Sequence, residues 1–306
     1  MSPRLCLQLL LLSFGTASAL GAWSAEGARF VRYGPAGAER PGLLDTAGRI
    51  RDLSAVVTDL GPDALGRLPE FAALDPTALP LVPGTPRLGA PVTGVGKIIA
   101  MGFNYSDHAA ESGVELPTEP LLFSKAVTAL TGPFDDVIAP RGYTALDYEA
   151  ELVIVIGRRA QYVTEEDALA HVAGFAVGHD VSERVFQTGR GGQFVKGKSA
   201  DTFAPVGPWL VPTASIVDVQ ALDISSTVNG ELRQHSNTRH MIFGAAFAVS
   251  YISRFMTLEP GDLIFTGTPA GVGAGFEPPR FLKPGDVVEI AIEGLGSQRQ
   301  TIAPPR

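Results

Sequence analysis

The chain has 306 residues, 45% of them hydrophobic and 18% charged, and its 35 glycines and 24 prolines favour many turns over long helices. Its formal net charge is −8, and no cluster of lysines and arginines stands out, which argues against a nucleic-acid partner. The single cysteine, Cys6, excludes an intrachain disulfide framework and a multi-cysteine metal site.

The first 28 residues differ in composition from the rest of the chain. Arg4 precedes an apolar run over residues 5–14, and residues 17–19, Ala-Ser-Ala, offer a cleavage site. This layout predicts a secretory signal peptide, and the alternative is an upstream extension before a cytosolic start near Arg29. The run is too short for a comfortable membrane span, so we expect no stable membrane insertion. A cleaved signal peptide would place the protein in the periplasm or outside the cell.

Two units are predicted after this leader of residues 1–28. Residues 29–85 contain short mixed segments and form a small N-terminal module, followed by a main domain over residues 86–306. Apolar runs in the main domain predict strands: "GKIIAMG", "ELVIVIG", "GFAVGHD", "DLIFTG" and "VVEIAIEG". "TEEDALAHV" predicts a short helix with a threonine cap, and "MIFGAAFAVSYISRFM" predicts a long buried helix. The fold class is therefore α+β and mainly β.

The segment "GGQFVKGKS" matches the phosphate-loop pattern G-x-x-x-x-G-K-[ST] from Gly192 to Ser199. A phosphate loop leaves a buried strand and opens a helix at the anion. Here "VFQTGRG" precedes the pattern, and Pro205 and Pro208 follow it and oppose a helix. We therefore expect no nucleotide, and Lys198 needs another role.

"LDYEAELVIVIG" carries two glutamates, Glu149 and Glu151, which a strand places on one face. A solvated strand end is the alternative interpretation. Asp180, at the end of the strand in "GFAVGHD", adds a third carboxylate. Three carboxylates without cysteine suit a hard cation, which favours Mg²⁺ or Mn²⁺.

Further polar residues could serve such a site. His108 and Glu111 are three positions apart, so one helical turn would let the carboxylate orient the imidazole for acid–base chemistry. The alternative for this pair is a surface hydrogen bond. Arg184 and Gln187, which follow Asp180, could hold a substrate carboxylate, although a purely structural arginine is also compatible. The glycine-rich loop in "DLIFTGTPAGVGAG" could bind a carboxylate through backbone amides and a threonine hydroxyl.

Taken together, these segments resemble the fumarylacetoacetate hydrolase family over about residues 95–306. The matching segments run in the family's order: "GFNYSDHAAE", "LLFSKAVTALTGP", "LDYEAELVIVIG", "GFAVGHDVSERVFQ", "KGKSADTFAPVGPWLV", "VNGELRQHSNTRHMIF" and "GDLIFTGTPAGVG". "RGGQFVKGKSADTFAPVGPWLV" and "GLGSQRQ" look most like the bacterial branch often labelled 2,4-diketo-3-deoxy-L-fuconate hydrolase or ureidoglycolate lyase. The chain departs from the family at Val185, where an aspartate is frequent, and at Phe194, where close relatives have tryptophan.

The resemblance implies a mixed β-roll or barrel with a small N-terminal module, in a homodimer located in the cytoplasm. It implies Mg²⁺ or Mn²⁺ as cofactor and a small keto acid as substrate. The implied metal ligands are Glu149, Glu151 and Asp180. The implied catalytic residues are His108, Glu111 and Lys198, and the implied substrate contacts are Tyr105, Arg184, Gln187 and Thr268.

The reaction that the resemblance implies is hydrolysis of a C–C bond in a 2,4-diketo acid of the acylpyruvate type, to pyruvate and a carboxylic acid. Ureidoglycolate cleavage, oxaloacetate decarboxylation and keto–enol isomerisation are alternatives on the same site. Outside enzymes, the alternative is an exported, non-catalytic binding protein that keeps the metal and anion pocket.

Overall fold

The computed structural model of the protein describes residues 27–306 except residues 112 and 114, so most of the predicted leader lies outside the described residues. The chain is mainly β, with 32% strand and 20% helix, as the sequence predicts. The strands are β1 (Phe30–Tyr33), β2 (Arg40–Leu44), β3 (Ile50–Asp52), β4 (Leu88–Gly89), β5 (Ile98–Gly102), β6 (Leu121–Lys125), β7 (Leu130–Thr131), β8 (Val137–Ile138), β9 (Leu146–Asp147), β10 (Ala150–Ile156), β11 (Val172–His179), β12 (Ser182–Glu183), β13 (Ala204–Pro205), β14 (Val211–Pro212), β15 (Asp223–Val228), β16 (Glu231–Asn237), β17 (Leu263–Phe265), β18 (Val287–Ile292) and β19 (Gly296–Ala303). The helices are α1 (Pro62–Leu65), α2 (Leu68–Ala72), α3 (Ser106–Glu111), α4 (Glu165–Ala168), α5 (Arg184–Thr188), α6 (Val195–Lys198) and α7 (Ala245–Ser253). Over the described part of the chain, none of the helices has the length and apolar character needed to cross a membrane.

The N-terminal segments form their own sheet, in the order β3-β2-β1-β4. Its last strand, Leu88–Gly89, comes from beyond residue 85 and pairs antiparallel with β1. Two backbone hydrogen bonds between Phe30 and Leu210, of 3.0 and 2.8 Å, tie β1 to the larger unit. The N-terminal sheet therefore packs directly on the part of the chain that carries the site.

The central sheet has the order β14-β11-β10-β17-β5-β6. Every residue of β10 and β11 is buried, as expected for apolar strands that are covered on both faces. Gly178 in β11 lies opposite Glu151, and a side chain there would collide with Val153 and Phe265. This close packing holds β10 and β11 in the register that sets the positions of the carboxylates.

A second sheet, in the order β16-β15-β18-β19-β8, shares the main hydrophobic core with the central sheet. Strands β15, β18 and β19 alternate between buried and accessible residues, so one face is largely buried; β18 buries Val288, Ile290 and Ile292. Both large sheets are open, so the described strands form mixed sheets and not a closed barrel.

The two helix predictions had different outcomes. The short helix is confirmed as α4, where the Thr164 hydroxyl accepts the Asp167 N–H. The long helix is shorter than predicted, because α7 begins only after Gly244. Met241 forms an isolated bridge with Tyr105, and residues 242–243 form a bend in which the Ile242 and Phe243 N–H groups donate to Asn104 over 2.7 and 2.8 Å. Apolar periodicity alone could not reveal this tertiary contact.

Candidate active site

Seven of the predicted site residues line one cavity at the end of β10: His108, Glu149, Glu151, Arg184, Gln187, Lys198 and Thr268. Three aromatic side chains complete its wall: Phe103, Phe123 and Phe194. Glu111 and Asp180 lie behind the cavity wall: Glu111 contacts His108, and Asp180 contacts Lys198. Segments far apart in the sequence therefore meet at one place.

Glu149, Glu151 and Asp180 come together because β10 and β11 pair at this point. In that register Ala150 faces His179, and the Asp180 N–H donates to the Glu149 carbonyl over 3.0 Å. Each carboxylate offers one oxygen, these oxygens lie within 4.8 Å of one another, and all three residues are buried. An all-oxygen set of this kind fits a hard divalent cation such as Mg²⁺ or Mn²⁺.

Glu151 has the least compensated charge of the three. Its Oε2 accepts the Gly267 N–H over 2.7 Å, but within the described residues no lysine or arginine forms an ion pair with it. Burial raises the pKa of Glu151 well above its usual range, and the charges of Asp180 and Glu149 add to this effect. A cation bound to the cluster would remove the repulsion, which supports the metal assignment.

Lys198 lies between the other two carboxylates. Its Nζ donates to Glu149 Oε2 over 2.6 Å and to Asp180 Oδ2 over 2.8 Å. Burial opposes its charge, but Asp180 and Glu149 outweigh burial and raise the pKa of Lys198. An ammonium group has three N–H donors, so one remains for a group in the cavity. The lysine of the phosphate-loop pattern thus contacts carboxylates of the chain itself.

His108 and Glu111 form the pair expected from their spacing on α3. His108 Nδ1 lies 3.0 Å from Glu111 Oε2, and the imidazole stacks on Phe103 with ring centres 5.8 Å apart. A carboxylate at Nδ1 favours the tautomer with the proton on Nδ1, which leaves Nε2 free to accept a proton. The pair is therefore suited to act as a general base.

The glycine-rich loop after β17 binds carboxylates of the protein itself. Its backbone N–H groups donate over 2.6–2.8 Å to three acidic side chains. Gly271 has a φ of 102° and leaves no room for a side chain against the Arg233 carbonyl, so glycine is required there. The pairs are Gly267 with Glu151, Gly271 with Glu111, and Gly273 with Asp147.

Arg184 is held by Asp147, a carboxylate that was not among the predicted site residues. Asp147 Oδ2 accepts from Arg184 Nε over 2.8 Å, while Arg184 Nη1 lies 2.7 Å from Glu149 Oε1 and donates to Gln187 over 3.1 Å. Burial works against the charge, but Asp147 and Glu149 outweigh it and raise the pKa of Arg184. Asp147 lies two positions before Glu149, so the same alternation that selected the glutamates could have included it.

Lys125 was also overlooked. It ends β6, is fully buried, and forms an ion pair with Asp180. Burial lowers its pKa against the opposing effect of Asp180. A lysine at the end of an apolar strand is the only local signal for this residue.

Two of the predicted substrate contacts are placed differently from expectation. Tyr105 is fully buried and does not line the cavity, and its hydroxyl has no hydrogen-bond partner among the described residues. Thr268 does line the cavity, but its hydroxyl donates to the Ala150 carbonyl over 2.9 Å and accepts from Gln234 Nε2 over 2.7 Å. Its single proton is thus used inside the protein.

The site combines a histidine paired with a glutamate, a lysine with a free N–H donor, and buried carboxylates. This combination is typical of an active site, so the fold and the site define an enzyme. Residues 97–303 match the model of the fumarylacetoacetate hydrolase C-terminal domain, and the chain belongs to this family of hydrolases and isomerases that act on acylpyruvate-like substrates. The match covers nearly the same segment as the sequence resemblance.

Relatives agree with this membership. A curated relative from Sphingomonas sp. (strain SKA58), 2,4-didehydro-3-deoxy-L-rhamnonate hydrolase, is 50% identical over 90% of this chain and 96% of its own. The structure of a fumarylacetoacetate hydrolase from psychrophilic Exiguobacterium antarcticum superposes with a TM-score of 0.80 at 36% identity, covering 91% of this chain and 100% of that one. Maleylpyruvate hydrolase from Sphingobium sp. SYK-6 gives a TM-score of 0.74 at 31% identity, over 90% and 99% of the two chains. A 5-carboxymethyl-2-hydroxymuconate delta-isomerase from Mycobacterium smegmatis gives a TM-score of 0.71 at 30% identity, covering 91% of this chain and 99% of that one.

Proposed function

We propose that the protein hydrolyses a carbon–carbon bond of a 2,4-diketo acid, producing pyruvate and a carboxylic acid, with Mg²⁺ or Mn²⁺ held by Glu149, Glu151 and Asp180. The observation that carries the proposal is that a general base and a spare ammonium donor face the same cavity as the carboxylate cluster. The name of the Sphingomonas relative, which denotes hydrolysis of a 2,4-diketo sugar acid, supports this substrate class.

Substrate binding follows from the charges around the cavity. A bound divalent cation would polarise the carboxylate and keto oxygens of the substrate and stabilise negative charge that develops on them. Arg184 and Gln187 lie at the wall and are held in a fixed orientation by Asp147 and by each other. They are suited to hold the polar end of an anionic substrate, since an arginine offers several donors in a rigid plane.

The chemical steps use His108 and Lys198. His108 Nε2 takes a proton from the water whose oxygen attacks the C4 carbonyl of the substrate. The C3–C4 bond then breaks, C4 leaves as the carboxylic acid, and the bonding electrons pass to the enolate of pyruvate. The remaining Lys198 N–H donates to the enolate oxygen, and the proton held by His108 returns to C3. Each proton is accounted for within the pair and the product.

Keto–enol isomerisation is the second candidate, because it needs the same enolate and the same base without the attacking water. The structural similarity to a delta-isomerase favours keeping it. The homodimer and the cytoplasmic location implied by the family resemblance stay predictions.

The proposed function is tested by incubating the purified protein with a panel of acylpyruvates, 2,4-diketo sugar acids, oxaloacetate and ureidoglycolate. We expect pyruvate release from a diketo acid with Mn²⁺ or Mg²⁺, loss of activity with EDTA, and recovery on adding excess metal. Turnover of oxaloacetate or ureidoglycolate alone, with no pyruvate released from any diketo acid, would contradict the proposal.

Replacing Lys198 by alanine should lower kcat for the diketo acid about 10²–10³-fold, the usual effect of removing one donor from a developing oxyanion. ATP should not change the rate of either form. Lys196→Ala is the matched control, because Lys196 lies in the same short helix but is exposed and donates only to the Arg190 carbonyl over 2.7 Å. An equal loss in both variants would contradict a role for Lys198 at the cavity.

A further inference from the structure

Three polar groups form a closed ring of hydrogen bonds beside the carboxylate cluster. The Ala150 N–H donates to Gln234 Oε1 over 3.0 Å, Gln234 Nε2 donates to Thr268 Oγ1 over 2.7 Å, and Thr268 Oγ1 donates to the Ala150 carbonyl over 2.9 Å. All the atoms involved are buried. Gln234 was not among the residues predicted from the sequence.

The orientation of the Gln234 amide is determined by its neighbours. Ala150 presents a backbone N–H, which can only donate, so the amide oxygen must face it. The Pro269 carbonyl, which can only accept, lies 2.8 Å from the amide nitrogen. The Ser226 hydroxyl donates to the same amide oxygen over 2.9 Å. Both hydrogens and both lone-pair directions of the amide are therefore occupied, and the side chain has one arrangement.

Ala150 is the residue between two of the three carboxylates. Its N–H belongs to the peptide that follows Glu149, and its carbonyl belongs to the peptide that precedes Glu151. The ring holds both peptide planes at once: Thr268, in the loop after β17, bonds to the carbonyl, and Gln234, in β16 of the other large sheet, bonds to the N–H and to Thr268. The separation and direction of the two glutamate side chains thus depend on a contact between the sheets.

We propose that Gln234 and Thr268 are positioning residues that hold Glu149 and Glu151 in the geometry needed to bind the divalent cation. This inference rests on the proposed metal site. It assigns the Thr268 hydroxyl to the Ala150 peptide and not to the substrate. Partners of this kind, one bond removed from a metal ligand, typically change metal affinity about 10–100-fold when they are lost.

The test compares Thr268→Val, which has nearly the same shape but no hydroxyl, with Thr268→Ser, which keeps the hydroxyl. Thr266→Val is the matched control, because Thr266 is equally buried and its hydroxyl donates to the Leu152 carbonyl of the same strand over 2.9 Å. Thr268→Ala serves as a second loss variant if the valine form does not fold. Mn²⁺ affinity is measured by calorimetry, thermal stability without metal by unfolding, and KM at saturating Mn²⁺.

We expect Thr268→Val to bind Mn²⁺ at least tenfold more weakly, with the KM for the diketo acid nearly unchanged once Mn²⁺ is saturating. Thr268→Ser should retain most of the affinity. Thr266→Val should lose about as much thermal stability as Thr268→Val does. It should bind Mn²⁺ as the wild type does.

Wild-type Mn²⁺ affinity in Thr268→Val and Thr268→Ala, with a raised KM, would overturn the inference and return the hydroxyl to the substrate. An equal loss of Mn²⁺ affinity in Thr266→Val would also overturn it, since the effect would then be general to the strand. If the wild-type protein itself does not bind Mn²⁺, the proposed metal site fails, and the inference fails with it.

Discussion

Replacing Glu151 by glutamine is expected to abolish stabilisation of the protein by Mn²⁺ and to remove turnover, while the metal-free protein stays at least as stable as the wild type. Glu151 is a buried carboxylate whose described contacts include no lysine or arginine, so the change removes an unfavourable charge without leaving a cation unpaired. The glutamine oxygen can still accept the Gly267 N–H. Thermal unfolding with and without Mn²⁺ measures both effects, because a ligand that binds only the folded state raises its stability.

Asp262→Asn is the control for this experiment. Asp262 is equally buried but lies at the opposite end of β10 and β17 from Glu151, where its carbonyl accepts the Ile156 N–H. Its carboxylate forms an ion pair with Lys97 and accepts the backbone N–H groups of Lys97 and Glu259. It should lose stability and keep its response to Mn²⁺. A Glu151→Gln protein with an undiminished Mn²⁺ response would show that the cluster is not the metal site.

The second large effect is expected for His108→Ala. Removal of the general base should lower kcat for the diketo acid by about 10²–10⁴-fold. The imidazole bonds to Glu111 and stacks on Phe103, and it forms no hydrogen bond with the three carboxylates of the proposed metal site among the described residues. The Mn²⁺ response should therefore be unchanged. Steady-state kinetics together with a Mn²⁺ titration separate the two properties.

His235→Ala provides the comparison, since His235 is an exposed histidine on β16. It should keep full activity. A His108→Ala enzyme that still hydrolyses the diketo acid at the wild-type rate would require another base. Loss of Mn²⁺ binding in that variant would instead place His108 with the metal.

Parts of the site could be predicted because they depend on local periodicity. Glu149 and Glu151 share a face because a strand alternates its side chains, and His108 meets Glu111 because three residues span nearly one helical turn. The strand in "GFAVGHD" ends just before Asp180, where the third carboxylate was expected. These predictions used only neighbours along the chain.

Other parts could not be predicted because their partners lie far away in the sequence. Gln234 lies in β16, where the buried residues do not alternate regularly with accessible ones, and nothing local shows that it reaches Ala150 in the other sheet. Thr268 was predicted to contact substrate, but the position of Gln234 and Ala150 directs its hydroxyl inward. The family resemblance implied a substrate contact for Tyr105, which packing buries completely and places outside the cavity wall.

By itself the sequence determined that this is a mainly-β member of a family of hydrolases and isomerases, with two carboxylates on one strand and a histidine–glutamate pair on one helical turn. Only the tertiary structure decided which charges neutralise one another. The pairing of β10 with β11 brings Asp180 to the glutamates, and α6 delivers Lys198 between them. The physical reason is that buried charges interact strongly over a few ångströms, and such distances between distant segments exist only after the sheets have packed.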